Sequence, residues 1–209
     1  MEKSKYTTKQ EVQRLTTAAV LSALSIVIMG VLHFPIFPSA PFYEMDFADV
    51  PVLICTSLLG PLYGLLSLVT VCIVQAVTVS SVSGLIGFYM HFLSSGLMII
   101  VVDYIRKHNE GVKGVITSVI CGIFVKTLVM IPLNIWQASM FMGISMEQFI
   151  NTILNICIAF NVIKAATNII IYSLIASVIE KEWHKLFKKN RKKQPENEVK
   201  EPVDVKEAE

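Results

Sequence analysis

Residues 152–179 read Thr152-Ile-Leu-Asn-Ile-Cys-Ile-Ala-Phe-Asn161-Val-Ile-Lys164-Ala-Ala-Thr-Asn168-Ile-Ile-Ile-Tyr-Ser-Leu-Ile-Ala-Ser-Val-Ile179. Lys164 is the only charged residue in this run. A helix needs about 20 mostly apolar residues to cross a hydrocarbon core, and this stretch exceeds that. Working outward, comparable apolar runs lie at 15–32, 62–79, 85–105 and 112–133, with a shorter one at 48–59. The spacing predicts an all-α integral membrane protein with six transmembrane helices. The run at 48–59 is too short to cross alone, so it must draw on its flanks or sit within protein.

Composition agrees. The 209 residues are 54% hydrophobic and only 16% charged. Of the 34 charged residues, 16 fall in the last 29 positions. What remains is too apolar for a water-facing surface. Three segments follow: an N-terminal cytoplasmic piece at 1–14, a membrane domain at 15–180, and a charged cytoplasmic tail at 181–209 that reads as disordered. The polar first 14 residues argue against a cleaved leader.

Between the first two runs lies His33-Phe-Pro-Ile-Phe-Pro-Ser-Ala-Pro-Phe-Tyr-Glu-Met-Asp-Phe47, whose prolines at 35, 38 and 41 forbid a regular helix. Gly60-Pro61 and residues 80–84 read as turns, and 134–151 as a semi-polar connection. Sixteen of the 18 Lys and Arg flank the runs. With six spans all sixteen fall on one side, because 33–47, 80–84 and 134–151 carry none. The positive-inside rule then puts both termini in the cytoplasm of a cell-membrane protein.

The other two cations, Lys126 and Lys164, fall inside predicted spans, and no acidic residue lies at comparable depth. A membrane lysine costs about 2.5–3.5 kcal/mol on insertion scales, so it usually faces a cavity, a ligand or a partner; the plain alternative is snorkelling to an interface. Asn161, Lys164 and Asn168 share one helical face and mark a wet or liganded groove.

Several functions are excluded. The sequence has no G-x-x-x-x-G-K-[ST] loop, no H-E-x-x-H and no G-x-S-x-G, so ATP hydrolysis and common hydrolytic chemistry lack their residues. The four histidines are isolated and the four cysteines sit in apolar runs without a metal-ligand spacing. No metal, cofactor or nucleic acid is expected. Binding or transport is the better class than an enzyme.

Two further motifs stand out. Ala19 and Ala23 form a small-x-x-x-small pair that lets another helix approach closely, within the protein or from a partner. Tyr43-Glu-Met-Asp-Phe-Ala-Asp-Val-Pro51 is followed by Leu58-Leu-Gly-Pro-Leu-Tyr-Gly64. With Asn161-Val-Ile-Lys164, these pieces resemble, in order, the substrate-binding S component of an energy-coupling factor (ECF) vitamin transporter, and most resemble the riboflavin-specific kind.

The resemblance implies a six-helix bundle that binds its ligand near the outer face. It implies a transmembrane coupling protein, met by the Ala19/Ala23 face, and two ATP-binding subunits as partners. It assigns riboflavin contacts to Asn134, Asn161 and Lys164, with Glu44, Met45, Asp46 and Phe47 closing over the ring. Phe42, Tyr43, Phe47 and Trp136 are candidate walls for a flat ligand, or else belt aromatics. His91 and Lys126 find no counterpart in that pattern. Another small vitamin or metabolite remains open as the ligand. A non-transport membrane subunit would leave the 161/164/168 stripe unexplained.

Overall fold

The structure, a computed structural model, describes residues 8–79, 84–109, 111–141 and 143–192. Its helices are α1 (Thr8–Val31), α2 (Asp49–Leu59), α3 (Pro61–Val77), α4 (Gly84–His108), α5 (Gly111–Phe141), α6 (Met146–Thr152) and α7 (Leu154–Lys192). Two short strands, β1 (Phe34–Pro35) and β2 (Glu44–Met45), pair antiparallel between α1 and α2.

The six apolar runs fall on α1, α2, α3, α4, α5 and α7. Four of these, α1, α4, α5 and α7, are long and apolar enough to cross a membrane. The count of helices differs from expectation because 134–151 is not an open connection. α5 continues to Phe141 through Pro132, and α6 starts at a capping box in which Ser145 and Gln148 bond each other's backbone N–H. The helical ends also run beyond the expected boundaries. α1 begins at Thr8 rather than near 15, and α7 extends to Lys192, past the expected start of the tail at 181. The turn at 80–83 and the tail from 193 onward lie outside the described residues.

The 11-residue α2 explains itself by burial. All of Asp49–Thr56 and Leu59 are buried, and α2 packs against α1, α3, α4 and α7. A helix that is apolar all round belongs inside a bundle. The main core gathers around it, with Val52, Leu53, Leu68, Met98, Ile99, Ile169 and Tyr172. By contrast, Val12, Leu15, Val20, Leu24, Val27 and Val31 of α1 are exposed, as suits a face turned to lipid.

Gly60-Pro61 makes the break between α2 and α3. Gly60 has φ +99°, and Pro61 stands at the start of α3, where its missing N–H costs nothing. A Cβ at Gly64 would lie 1.9 Å from Thr56 Oγ1, so only glycine lets these two helices meet there. Arg14 donates to the Leu59 carbonyl at 2.6 Å and lies over the Tyr63 ring at 4.9 Å, which ties α1 to the same corner. Deeper, Ser22 bonds Ser67 at 2.7 Å and Ser25 bonds the Ala48 carbonyl.

Candidate ligand-binding site

A cavity of about 460 Å³ opens at the end of the bundle that carries the 32–48 connection and α6. Its walls come from the ends of α3, α4, α5 and α7 nearest these connections. The opposite end carries Arg106, Lys107 and Lys113. The cavity falls within the range of about 300–1,000 Å³ usual for small-molecule sites.

The 32–48 connection folds over this cavity. Prolines prevent a helix, and the two strands pair Phe34 with Met45 and Pro35 with Glu44. Tyr43 stacks on Phe160 with centroids 5.0 Å apart, and its hydroxyl donates to Asn134 Oδ1 at 3.0 Å. One residue of the connection thus touches both α5 and α7. Burial pushes the Tyr43 phenol well above its usual pKa, so it stays a donor. His33 lies 2.7 Å from Glu44.

The α7 stripe is used in three ways. Lys164 donates to Asp46 Oδ2 at 2.6 Å and to the Glu44 carbonyl at 3.3 Å, which leaves one of its three hydrogens. Asn168 donates to the Asp46 carbonyl at 3.1 Å. Asn161 donates to the Cys157 carbonyl at 2.8 Å, while its buried Oδ1 has no partner. A buried acceptor left open on a cavity wall is a place for a ligand donor. Burial alone would raise the Asp46 carboxyl; the Lys164 ammonium outweighs it and holds Asp46 below the ordinary carboxylate range.

A second cluster lies beside the first. Lys126, 2% exposed, donates to Asp49 Oδ2 at 2.5 Å and to Ser95 Oγ at 2.9 Å. Asp49 also accepts from Ser95 at 3.0 Å and contacts His91 Nε2 at 3.0 Å, and His91 Nδ1 meets the Gln75 amide. Neither membrane lysine is therefore unpaired. Their carboxylates come from the connection before α2 and from the first turn of α2, not from mid-span. For that reason no acid stands at their depth when the runs are taken one by one.

Of the expected site residues, Glu44, Asn134, Asn161 and Lys164 line the one cavity. Met45, Asp46 and Phe47 do not line its wall, so of the 44–47 segment it is Glu44 that reaches the cavity. Successive strand side chains point to opposite faces. Glu44 faces the cavity, Met45 is 3% exposed on the other side, Asp46 is held by Lys164, and Phe47 packs against the core. Phe42 and Tyr43 line the wall, whereas Trp136 is exposed away from it. Ala19 and Ala23 are exposed on α1 beside buried Ala18 and Ser22. Gln75, His91, Ser94 and Lys126 line the cavity without having been assigned to it from sequence. The available signal was the energetic one: a charge at Lys126 demands a partner.

The model of the family described as "ECF transporter, substrate-specific component" matches residues 13–179. The chain belongs to this family. It is 31% identical over 126 residues to the riboflavin transporter FmnP of Bacillus subtilis, covering 59% of this chain and 65% of that protein. It is 27% identical over 174 residues to the riboflavin transporter RibU of Staphylococcus aureus, covering 79% and 89%. With RibU of Lactococcus lactis the alignment covers 60% of this chain and 62% of the relative. The chain thus spans slightly less than two thirds of FmnP and of the Lactococcus protein, and most of the Staphylococcus one. Its fold is similar to a solved structure described as "Structure and mechanism of the S component of a bacterial ECF transporter", with TM-score 0.70 and 26% identity over 82% of this chain and 97% of that one. The S component is a multi-pass membrane protein and a transporter subunit rather than an enzyme.

Proposed function

We propose that this S component captures riboflavin at the outer face of the cell membrane and passes it inward with an ECF coupling protein and two ATP-binding subunits. The observation that carries the reading is the buried, unpartnered Asn161 Oδ1 on the wall of a 460 Å³ cavity shared with Asn134 and Lys164. An isoalloxazine offers carbonyl and ring-nitrogen acceptors and one N–H donor. Asn161 Oδ1 accepts that N–H, and the spare Lys164 hydrogen and the Asn134 amide serve the acceptors. Tyr43, Phe160 and Met90 supply apolar wall for a flat ring. Glu44 stands at the rim with Tyr43. The names of the relatives support the same ligand.

In this reading six helices cross the bilayer, α2 inside the bundle and α6 on the outer side, and both termini face the cytoplasm. The exposed Ala19/Ala23 face of α1 meets the coupling protein, where small side chains let two helices approach closely. The test is direct. Detergent-purified protein should carry flavin absorbance through dialysis and, once stripped, bind riboflavin with a saturable titration. Protein that neither carries nor binds flavin would direct the reading to another small vitamin.

A further inference from the structure

α7 runs without interruption from Leu154 to Lys192, 39 residues and about 58 Å at 1.5 Å per residue. A hydrocarbon core takes up about 30 Å of that length. Leu154 stands at the cavity end, and Trp183 marks where the helix leaves the bundle at the other. Trp183 is half-buried and packs with Ala18, Cys55, Leu59 and Tyr63 beside the α2–α3 break. The helix continues past it through 184–192. Of the 13 residues 181–193, seven are Lys or Arg and one, Glu182, is acidic. By helical periodicity Lys181, Lys185, Lys188 and Lys192 take register positions on one side, and Trp183, Leu186 and Phe187 on the other. Lys181 is exposed while Trp183 packs on the bundle, so the lysine register continues the side turned away from the bundle.

Resting on the cytoplasmic placement of both termini, we propose that this basic end of α7 is a docking surface for anionic lipid headgroups of the cytoplasmic leaflet. The positive-inside rule asks only for an excess of cations, as Arg106, Lys107 and Lys113 supply around the α4–α5 turn. It does not ask for a row of charge along one side of a helix. A cluster of about four to eight Lys or Arg directly after a membrane helix matches the negative potential of a leaflet that holds anionic lipid. Ammonium groups meet phosphate as point charges, which suits the varied headgroup geometry of a fluid leaflet. The attraction falls off within a Debye length, about 8 Å at physiological salt, whereas Lys181 and Lys192 are about 16 Å apart along the axis. The arm therefore inclines over the leaflet from its anchor at Trp183, so that the whole row reaches the headgroups. The stretch 194–209 holds six carboxylates against two lysines and is the competing occupant. The leaflet is favoured because the row begins at exposed Lys181, where the span ends and the headgroups lie.

The experiment places the full chain in lipid nanodiscs of phosphatidylcholine, alone or mixed with phosphatidylglycerol, with a fluorophore on Asn190→Cys and a nitroxide quencher on the headgroups. Wild type taken through the same labelling gives the blank for the native cysteines. Quenching should rise about twofold or more with phosphatidylglycerol at about 0.1 M salt and return to the neutral-lipid level at about 1 M, where the screening length falls from about 10 Å to about 3 Å. Lys185→Gln/Lys188→Gln/Lys192→Gln in the same Asn190→Cys chain should abolish the phosphatidylglycerol effect and leave the melting temperature unchanged. Equal quenching in both lipids, or a gain that survives salt or the triple substitution, overturns the docking surface. A phosphatidylglycerol effect that appears only after residues 194–209 are removed shows the acidic stretch covering the row, and overturns it too. Labelling of Asn190→Cys on intact cells by a membrane-impermeant thiol reagent is a separate failure: it overturns the cytoplasmic placement, whatever the nanodiscs report.

Discussion

Asp46 Oδ2 lies 2.6 Å from Lys164 Nζ, and this contact fastens the connection between α1 and α2 to the N-terminal third of α7. Lys164 consequently has two tasks that a sequence cannot separate. It lines the cavity, and it neutralises a carboxylate that is 1% exposed.

Lys164→Ala should therefore do two things. Riboflavin affinity should fall by about tenfold or more, from the loss of a charged hydrogen-bond donor. The empty protein should also lose stability, because removing one partner of a buried pair leaves the other uncompensated, at about 3–5 kcal/mol. Asp46→Asn/Lys164→Met should recover the stability and not the affinity. Melting curves and titrations on the two variants separate these effects. An Ala variant as stable as wild type would show that the pair does not hold the connection in place. Because Lys164 holds Asp46 below its ordinary value, the pair's contribution is complete at neutral pH and declines only in acid, as Asp46 takes up its proton.

Asn161→Leu should weaken riboflavin binding by about tenfold or more and leave the melting temperature unchanged or higher. The asymmetry comes from Oδ1, which has no partner in the empty protein, so its removal takes away a desolvated acceptor and no bond. The amide N–H bond to the Cys157 carbonyl is local, four residues back on α7. Unaltered affinity would remove Asn161 from the site.

Ala19→Leu and Ala23→Leu should abolish uptake in cells while leaving riboflavin binding by the purified subunit intact. Both positions are exposed, so the bulk is added outside the protein's own core. Close helix contacts tolerate such additions poorly. Co-purification with the coupling protein reads the effect. Assembly that persists beside lost flavin binding would assign this face to the pocket instead.

The topology has its own check. A membrane-impermeant thiol reagent applied to intact cells should label Met146→Cys and spare Asn109→Cys. Met146 is 60% exposed at the start of α6, on the cavity end, and Asn109 follows the Arg106, Lys107 and His108 turn of α4. Labelling at 109 would put those cations outside and break the six-crossing arrangement.

The α7 stripe was legible before any fold was known. Periodicity puts 161, 164 and 168 on one face, and a lysine in an apolar run of that length announces a cavity or a partner. The same holds for the break at Gly60-Pro61, where local backbone chemistry decides. The cover over the cavity was legible as a place but not in its detail. Phe47 reads as a candidate wall by residue type, yet it packs into the core, whereas Tyr43 reaches across to Phe160 and Asn134. Strand alternation from β2 separates Glu44 from Met45, and no helical or apolar pattern in the sequence signals a two-residue strand.

The sequence by itself determined that the chain is helical and embedded in a membrane, because those properties follow from length and hydropathy along single runs. It also marked Asn161 and Lys164, which lie one turn apart on the same helix. Only the tertiary structure decided that Asp49 answers Lys126 and that Asp46 answers Lys164, across separations of 77 and 118 residues. Such pairs depend on how α2 sits among α4, α5 and α7, and no periodicity within one helix carries that information. The physical reason is the range of the interactions: hydropathy sums along a segment, whereas a buried ion pair exists only where two distant segments pack.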